Sequence, residues 1–418
     1  MSDKTRKFFN RLIKISAATI GTIALSVLST GLIIAREIPD SFSIVEGEKL
    51  SFNNKFPIKA ELTGSKYVLA NNISKAGKHY SDELMFLGSV PIKNIKVSVV
   101  KQVSVVPSGE TFGVKFYTAG VVVVGMTDVD TAEGAKNPAY EAGIREGDVI
   151  LAINGKSVTS NSEVSALFSA SNGKSITVSL KRGNVGFSVT FKPALSVSTN
   201  SYKAGLWVRD STAGIGTITY YNPSNYSFAG LGHGICDVDT GKIMPLLTGD
   251  VVKVNMTGIV KGTSGQPGEL LGVLSDTVWG NLCMNNETGV YGFLNSVNVG
   301  KPVPVAMKQE VTEGPAEIIA TIDNSGPKKY SVEIEKIHFN DDSPTKNMII
   351  KVTDKNLLKA TGGIVQGMSG CPIIQKGRLV GAVTHVFVND PQRGYGIFAE
   401  NMINSSKVLE KSQQKDVS

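Results

Sequence analysis

A stretch of 21 residues without a single charge, Ile15–Ala35, constrains this chain more than any other part of its sequence. As an α-helix it measures about 31 Å, close to the roughly 30 Å hydrocarbon core of a bilayer. The residues before it are basic, and a positive flank normally stays in the cytoplasm. A removed signal peptide, which has a shorter apolar region and a small-residue cleavage site, and a buried helix are the alternatives. We expect a cytoplasmic segment 1–14, an uncleaved anchor over 15–35, and everything after it outside the cytoplasm.

Composition describes an ordinary globular protein of several domains. The chain has 418 residues, of which 41% are apolar and 19% charged, and its 44 glycines favour strands and turns. The net charge of +7 is partly concentrated at the N-terminus, so nucleic-acid binding has little support. Three cysteines, Cys236, Cys283 and Cys371, do not form a disulfide framework, although one bridge is compatible with an extracytoplasmic domain.

Residues 36–102 are interpreted as a connector with strands, and the following segment as a peptide-binding module. Val121–Val124 is typical of a buried strand, Asn137–Ile144 of a short helix with Pro near its start, and Val149–Gly155 of a strand ending in an Asn-Gly turn. This succession resembles a PDZ domain, which we place at 103–195. PDZ domains bind an extended peptide at a sheet edge, often with its carboxylate on a glycine-containing loop. The matching piece is Gly113, Val114, Lys115 and Phe116; the alternatives are a simple strand-entry turn at Gly113 and a domain that serves only as a brace.

The region 200–404 contains many short strand patterns separated by Gly, Pro and Asn turns, which favours barrels or a sandwich. The segment 405–418 is polar and is expected to be flexible. Within the β-rich region, glycines surround Ser369 in the run Gly362–Pro372. Such a loop lets backbone N–H groups converge beside a nucleophile, as acyl transfer requires.

Gly367–Thr384 resembles the serine loop and following hairpin of chymotrypsin-like proteases. The resemblance implies a chymotrypsin-like β-barrel protease domain whose oxyanion hole is formed by the N–H groups of Gly367 and Ser369. Met368 departs from the pattern, because these enzymes usually carry an Asp there that pairs with a new N-terminus after zymogen cleavage. That activation route is therefore not expected.

A serine hydroxyl needs a base, and the chain has four histidines. His233 lies between Gly232 and Gly234 in a tight loop pattern and is the predicted general base. His385 follows on a strand that commonly borders the primary specificity pocket, where it would recognise an acidic or amide side chain; a partly buried strand histidine is the plainer interpretation. We interpret His79 as a surface residue and His338 as a structural one.

The carboxylate that orients the base is not decided by local pattern alone. Asp354 stands at the end of the apolar strand Met348–Val352, while Asp237 is only four residues from His233 and is equally suited to closing a turn. The other candidates are Asp250, Asp276, Asp323, Asp341 and Asp342.

Several pieces in a fixed order resemble the stage IV sporulation protein B peptidase family. They are Phe86–Lys93, Phe112–Phe116, Gly232–Gly234, and Thr353–Asp354 ahead of Gly362–Gly370. The resemblance implies the triad His233, Asp354 and Ser369. Cys371 departs from the family, which commonly carries Ser there, and this leaves a redox sensitivity open.

The resemblance also implies a biological role. It implies a sporulation serine endopeptidase, anchored in the forespore inner membrane, that faces the intermembrane space. It would process itself and cleave a membrane-bound regulator of an intramembrane protease, so that a signal for sigma-factor processing reaches the mother cell. Its partners would be this regulator, its own chain and the membrane; no cofactor and no metal are expected.

Four alternatives are weighed against this interpretation. A cysteine protease using Cys371 would need its nucleophile two residues past the loop apex. A zinc site at His233, Cys236 and Asp237 lacks a fourth ligand and the usual spacing. A general envelope quality-control protease normally places its PDZ domain after the protease domain. The intact Ser, His and Asp set in glycine loops argues against a non-catalytic PDZ adaptor, which would not need these residues.

Overall fold

The computed structural model describes residues 3–50, 58–61, 76–87, 90–339 and 343–416. Gly88 and Ser89 of one family motif, and the carboxylate candidates Asp341 and Asp342, lie outside the described residues. The expected class is confirmed: the chain is mostly β, with an N-terminal apolar helix, a PDZ domain and β-barrels.

Helix α1, Asp3–Glu37, contains the uncharged stretch without interruption. Its part Ile13–Glu37 has a mean hydropathy of 1.9 and is long and apolar enough to cross a membrane, a property that signal sequences share. The end of α1 packs on a small sheet, in whose core Ile34 and Ile38 are buried beside Phe42. That sheet has the strand order β1-β4-β3-β2. Its strands are β1 Ser41–Val45, β2 Ile58–Glu61, β3 His79–Phe86 and β4 Val90–Val100.

The PDZ domain is built around a core of apolar side chains from strands and two helices. Asn137 caps helix α2, Pro138–Glu141, by accepting a hydrogen bond from the Tyr140 N–H. A capping box formed by Ser160 and Glu163 starts helix α3, Asn161–Ala170. The strands up to this domain's end are β5 Ser104–Pro107, β6 Thr111–Met126, β7 Val129–Thr131, β8 Gly134–Lys136, β9 Val149–Ile153, β10 Lys156–Ser157, β11 Ile176–Arg182, β12 Val185–Phe191, β13 Ala194–Ser196 and β14 Ser201–Lys203.

A first barrel closes through the pairings β6-β17-β18-β19-β16-β15 and back to β6. Several register shifts interrupt the long strands of this barrel. Such bulges bend a strand and increase its twist, which allows a sheet to curve into closure. Phe112, Phe116 and Phe228 are buried in its core. Its remaining strands are β15 Leu206–Tyr221, β16 Ser227–Gly230, β17 Leu246–Val260, β18 Glu269–Asn286 and β19 Gly289–Leu294.

A second closed barrel has the strand order β21-β22-β23-β26-β25-β24. Helix α4, Lys355–Thr361, leads into the serine loop between β23 and β24. Helix α5, Ala399–Asp416, includes residues 405–416, and its side chains Met402, Ile403 and Leu409 pack into the core. This differs from the flexible tail expected there. The strands are β20 Val303–Pro304, β21 Gly314–Ala320, β22 Lys328–Ile337, β23 Met348–Val352, β24 Pro372–Gln375, β25 Arg378–Phe387 and β26 Asp390–Phe398, and a 3₁₀ turn spans Lys308–Glu310.

Strands β6 and β15 belong to the PDZ domain and to the first barrel at once. Residues 111–117 of β6 pair with residues 211–217 of β15 in the barrel, and residues 122–126 pair with 206–209 in the PDZ sheet. At the junction Gly120 has φ +94°, and a Cβ there would lie 2.6 Å from the Ile150 carbonyl oxygen. The structure therefore has no boundary at residue 103; barrel residues extend to Thr118 before the PDZ core begins at Val121.

Candidate active site

The loop after β16 presents His233 between the two barrels. Gly232 has φ +69°, and a Cβ on it would lie 3.0 Å from methyl groups of Thr384 and Ile397 in the second barrel. Glycine thus allows both the left-handed turn and the close approach of the barrels. The Nδ1 atom of His233 lies 2.9 Å from the Gly234 carbonyl oxygen. Because a carbonyl only accepts, Nδ1 carries the hydrogen and Nε2 is the basic nitrogen of the neutral ring.

Burial lowers the pKa of His233 below its ordinary value, although the hydrogen bond to Gly234 opposes the shift. Burial disfavours the charged imidazolium, so the ring is neutral at pH 7. A neutral ring with an unprotonated Nε2 is the form that a general base requires.

The loop before β24 presents Ser369 from the second barrel. Gly370 has φ +98°, and a Cβ there would lie 2.0 Å from the Thr217 carbonyl oxygen, so no larger residue fits after the serine. Ser369 is half-buried, and its Oγ donates to the Thr384 carbonyl oxygen at 2.7 Å. Within the described ranges, no residue accepts a hydrogen bond from the N–H of Gly367 or of Ser369. Two free N–H groups beside a serine hydroxyl are the elements of an oxyanion hole.

His233 and Ser369 line one cavity of about 770 Å³. One part of the cavity wall is apolar, and another carries polar groups of the segment Ser343–Lys346. His385 also lines it, with its ring centroid 4.7 Å from that of His233. The structure therefore brings together the predicted base, the predicted nucleophile, both predicted oxyanion donors and the predicted specificity residue. Further lining residues are Val114, Ala213, Ile215, Leu231, Ile235, Cys236, Asp237, Val238, Ile243 and Glu287.

Asp354 is placed elsewhere. It is the N-cap of α4, where its Oδ1 accepts hydrogen bonds from the N–H groups of Asn356 and Leu357. Among the described residues it is not part of the cavity wall, and its Oδ2 has no hydrogen-bond partner. In this arrangement Asp354 therefore orients a helix, while the His233 ring is held by a backbone carbonyl.

Asp237, the other nearby candidate, closes a turn. Its Oδ1 accepts from the Asp239 N–H and from the N–H and hydroxyl of Thr240, and its Oδ2 pairs with Arg209. Burial opposes ionisation, but the hydrogen bonds from Thr240 and Arg209 keep the pKa of Asp237 below its ordinary value. The carboxylate therefore anchors the loop after His233 to β15.

The segment Gly113–Phe116 lies inside β6, and both of its backbone edges are hydrogen-bonded, to β15 and to β17. Phe116 is fully buried and Val114 is nearly so. A peptide can add to this segment only by displacing one of the two strands.

All three cysteines lie in the described ranges and are free thiols. Burial raises the pKa of Cys371 to about 12, and a hydrogen bond to Thr217 only partly offsets this. The thiol stays protonated at neutral pH and is not a nucleophile.

Thr217 and Thr384 are functional-site residues that sequence reasoning missed. Thr217 contacts the serine loop, and Thr384 accepts the serine hydroxyl hydrogen bond through its carbonyl oxygen. The alternation Thr217-Ile218-Thr219 predicts a strand with one polar face. It carries no signal that this face meets a loop 150 residues away.

Two family models match separate parts of the chain. Residues 200–403 match the family described as SpoIVB peptidase S55, and residues 129–182 match a PDZ domain family. Serine protease HTRA1 of Xenopus tropicalis is 43% identical over 56 residues, which are 13% of this chain and 12% of that protein.

Two solved structures match parts of the chain. The PDZ domain of the SdrC-like protein from Listeria monocytogenes is 19% identical, with a TM-score of 0.18, and the match covers 22% of this chain and 87% of that one. Rv3671c from M. tuberculosis H37Rv, in an inactive mutant form, is 11% identical, with a TM-score of 0.25, over 48% of this chain and 83% of that one. At these TM-scores neither likeness bears on the site.

Proposed function

We propose that Ser369 is the nucleophile and His233 the general base. The chain is a serine peptidase with a PDZ domain, and its residues 200–403 match the SpoIVB peptidase S55 family. The observation that carries the proposal is that these two side chains, one from each barrel, line one cavity. The N–H groups of Gly367 and Ser369 lie beside them and have no acceptor among the described residues.

The reaction begins when the Ser369 hydroxyl turns from the Thr384 carbonyl to Nε2 of His233. The base takes the proton as Oγ attacks the peptide carbonyl, and the N–H groups of Gly367 and Ser369 stabilise the oxyanion. The imidazolium then protonates the leaving amine, and water hydrolyses the acyl-enzyme by the same route.

Asp354 is proposed as the carboxylate of the triad on the strength of its place in the family motif. Its capping hydrogen bonds use Oδ1 and leave Oδ2 for this role. The role requires a rearrangement that joins Asp354 to the His233 ring, because the ring is held by Gly234 in this structure.

His385 and the adjacent Lys346 are proposed to form the wall that recognises an acidic or amide side chain of the substrate. Both line the cavity beside His233. The Lys346 ammonium offers N–H donors, and a neutral His385 ring offers one, which suits a carboxylate or amide oxygen.

The proposed biological role is processing of the chain itself and of a membrane-bound regulator, with a signal passing from forespore to mother cell. The family and the N-terminal helix support this role, since α1 is able to hold the peptidase at the membrane where such a regulator lies. The PDZ domain is proposed to bind either its own chain or the regulator.

The chemistry is tested with the full chain in detergent micelles. A fluorescent fluorophosphonate and self-processing followed by mass spectrometry report on the active serine. Ser369→Ala and His233→Ala are expected to lower the rate by about 10⁴- to 10⁶-fold. Ser188→Ala, which removes an exposed hydroxyl of the PDZ sheet, is the matched control. Equal cleavage by wild type and Ser369→Ala would refute the assignment.

The role is tested in an endospore-forming host that lacks its own peptidase of this family. The wild-type chain is expected to restore sigma-factor processing, and the Ser369→Ala chain is not. An active enzyme that fails to restore processing would contradict the role and leave the chemistry standing.

A further inference from the structure

Thr217 is a buried residue of β15 that contacts both catalytic loops. Its side chain and backbone are only 1% exposed. Its N–H donates to the Ser369 carbonyl at 2.9 Å and its hydroxyl to the Gly367 carbonyl at 2.8 Å. Its own carbonyl accepts from the Leu231 N–H, two residues before His233, at 3.2 Å. One residue of the first barrel therefore ties the serine loop to the histidine loop.

These contacts complete a row of anchored carbonyls in the serine loop. The Gln366 carbonyl accepts from the Leu270 N–H, and the Met368 carbonyl accepts from the Cys371 N–H. The Gly370 carbonyl accepts from the Thr219 hydroxyl at 2.8 Å. Together with the two bonds of Thr217, every carbonyl from Gln366 to Gly370 has a partner.

The orientation of the oxyanion donors follows from peptide planarity. In a trans peptide the carbonyl of one residue and the N–H of the next point in opposite directions. Anchoring the Gln366 and Met368 carbonyls therefore turns the N–H groups of Gly367 and Ser369 the other way. The peptide between these two units is Gly367–Met368. Its carbonyl accepts from the Thr217 hydroxyl, and its N–H donates to the Val365 carbonyl at 3.1 Å, so the hydroxyl holds the carbonyl side of this peptide.

We propose that Thr217 is a positioning residue of the peptidase, whose hydroxyl holds the Gly367–Met368 peptide so that the N–H groups on either side converge on one point. The inference rests on the proposed function of Ser369 and His233. Without the hydroxyl, the buried Gly367 carbonyl lacks a hydrogen-bond partner among the described residues. The peptide can regain a partner only by rotating, and that rotation turns the N–H groups of Gly367 and Ser369 away from their common point.

The test compares Thr217→Val, which keeps the shape and removes the hydroxyl, with wild type in the full chain. We expect kcat to fall by about 10- to 100-fold, since a misplaced oxyanion donor costs up to about 10²–10³. KM should change little, because the donors act on the transition state more than on the bound substrate. Thr217→Ser keeps the hydroxyl and is expected to restore kcat.

Thr321→Val is the matched control. Thr321 is also buried, its hydroxyl donates to the Gly109 carbonyl at 2.8 Å, and it does not line the cavity. Should Thr217→Val fail to fold, Thr217→Ser and Thr217→Ala make the same comparison, because both lack the methyl group and differ in the hydroxyl. A folded hydroxyl-free variant with wild-type kcat, or a loss equal to that of Thr321→Val, would overturn the proposal. Activity that survives Ser369→Ala would instead refute the underlying function.

Discussion

The rings of His233 and His385 are neighbours in a tilted arrangement, with centroids 4.7 Å apart and an interplanar angle of 32°. Two imidazoles at this distance cannot both be charged without strong repulsion. Desolvation, together with the neighbouring charges of His233 and Lys346, lowers the pKa of His385 to about 4. His385 is therefore neutral across the pH range in which His233 acts.

This relationship predicts the acid limb of the pH profile. The base must be neutral, so kcat/KM falls as pH drops through the pKa of His233, which burial places below 6.5. His385→Ala opens one face of the His233 ring to water and weakens desolvation, so the limb is expected to move toward pH 6.5. His79→Ala, which alters an exposed strand residue, should leave the limb in place. An unchanged limb in His385→Ala would contradict the assigned contact.

Two substitutions of Asp354 should separate its effect on stability from its effect on activity. Asn is as good an N-cap as Asp, whereas loss of the cap costs about 0.5–2 kcal/mol. Asp354→Ala should therefore lower the free energy of unfolding, and Asp354→Asn should not. As a triad member, Asp354→Asn is expected to lower kcat by about 10⁴-fold. Full activity of a stable Asp354→Asn variant would limit Asp354 to capping α4.

Substitution of Arg209 should destabilise the loop that follows His233. Removing it leaves the Asp237 carboxylate, only 1% exposed, without its cationic partner. Arg209→Ala is expected to lower the free energy of unfolding by about 1–3 kcal/mol. Lys329→Ala, which breaks an exposed pair with Glu317, should change it by at most about 1 kcal/mol.

The pH dependence of the Arg209 effect has a defined sign. The pKa of Asp237 is lowered in the folded state, so its contribution is present above the unfolded pKa and is lost as pH falls through the folded one. The difference between wild type and Arg209→Ala should therefore shrink in acid, as measured by denaturant unfolding. A difference that grows below pH 4 would be inconsistent with this pair.

The different burial of the cysteines should make their alkylation selective. Cys236 is exposed, and although burial and Asp237 raise its pKa, its thiol is accessible. Cys371 is fully buried with a pKa of about 12. Iodoacetamide at pH 8 should label Cys236 in the native protein and Cys371 only after unfolding, as peptide mass spectrometry would reveal. Rapid native labelling of Cys371 would mean that the serine loop opens.

The parts of the site that depend on local chemistry could be predicted from the sequence. Glycines around His233 and Ser369 mark tight loops, and each loop has the positive φ angles that only such residues favour. The strand Met348–Val352 has the predicted bounds. Where the outcome depends on distant pairing, local pattern was insufficient: Gly113–Phe116 matches a loop motif, but its conformation is set by β15 and β17. Asp354 also carried an overlooked local signal, since an Asp before a helical run is a common N-cap.

Because β6 and β15 continue without a break from the PDZ domain into the first barrel, the PDZ domain cannot be removed as a separate unit. Excising Val103–Pro193 would also remove Phe112, Val114 and Phe116 from the core of the barrel that presents His233. A loss of activity in such a truncation would therefore reflect unfolding of the first barrel rather than loss of regulation. The contribution of the PDZ domain therefore has to be tested by single substitutions on its surface that keep both shared strands intact.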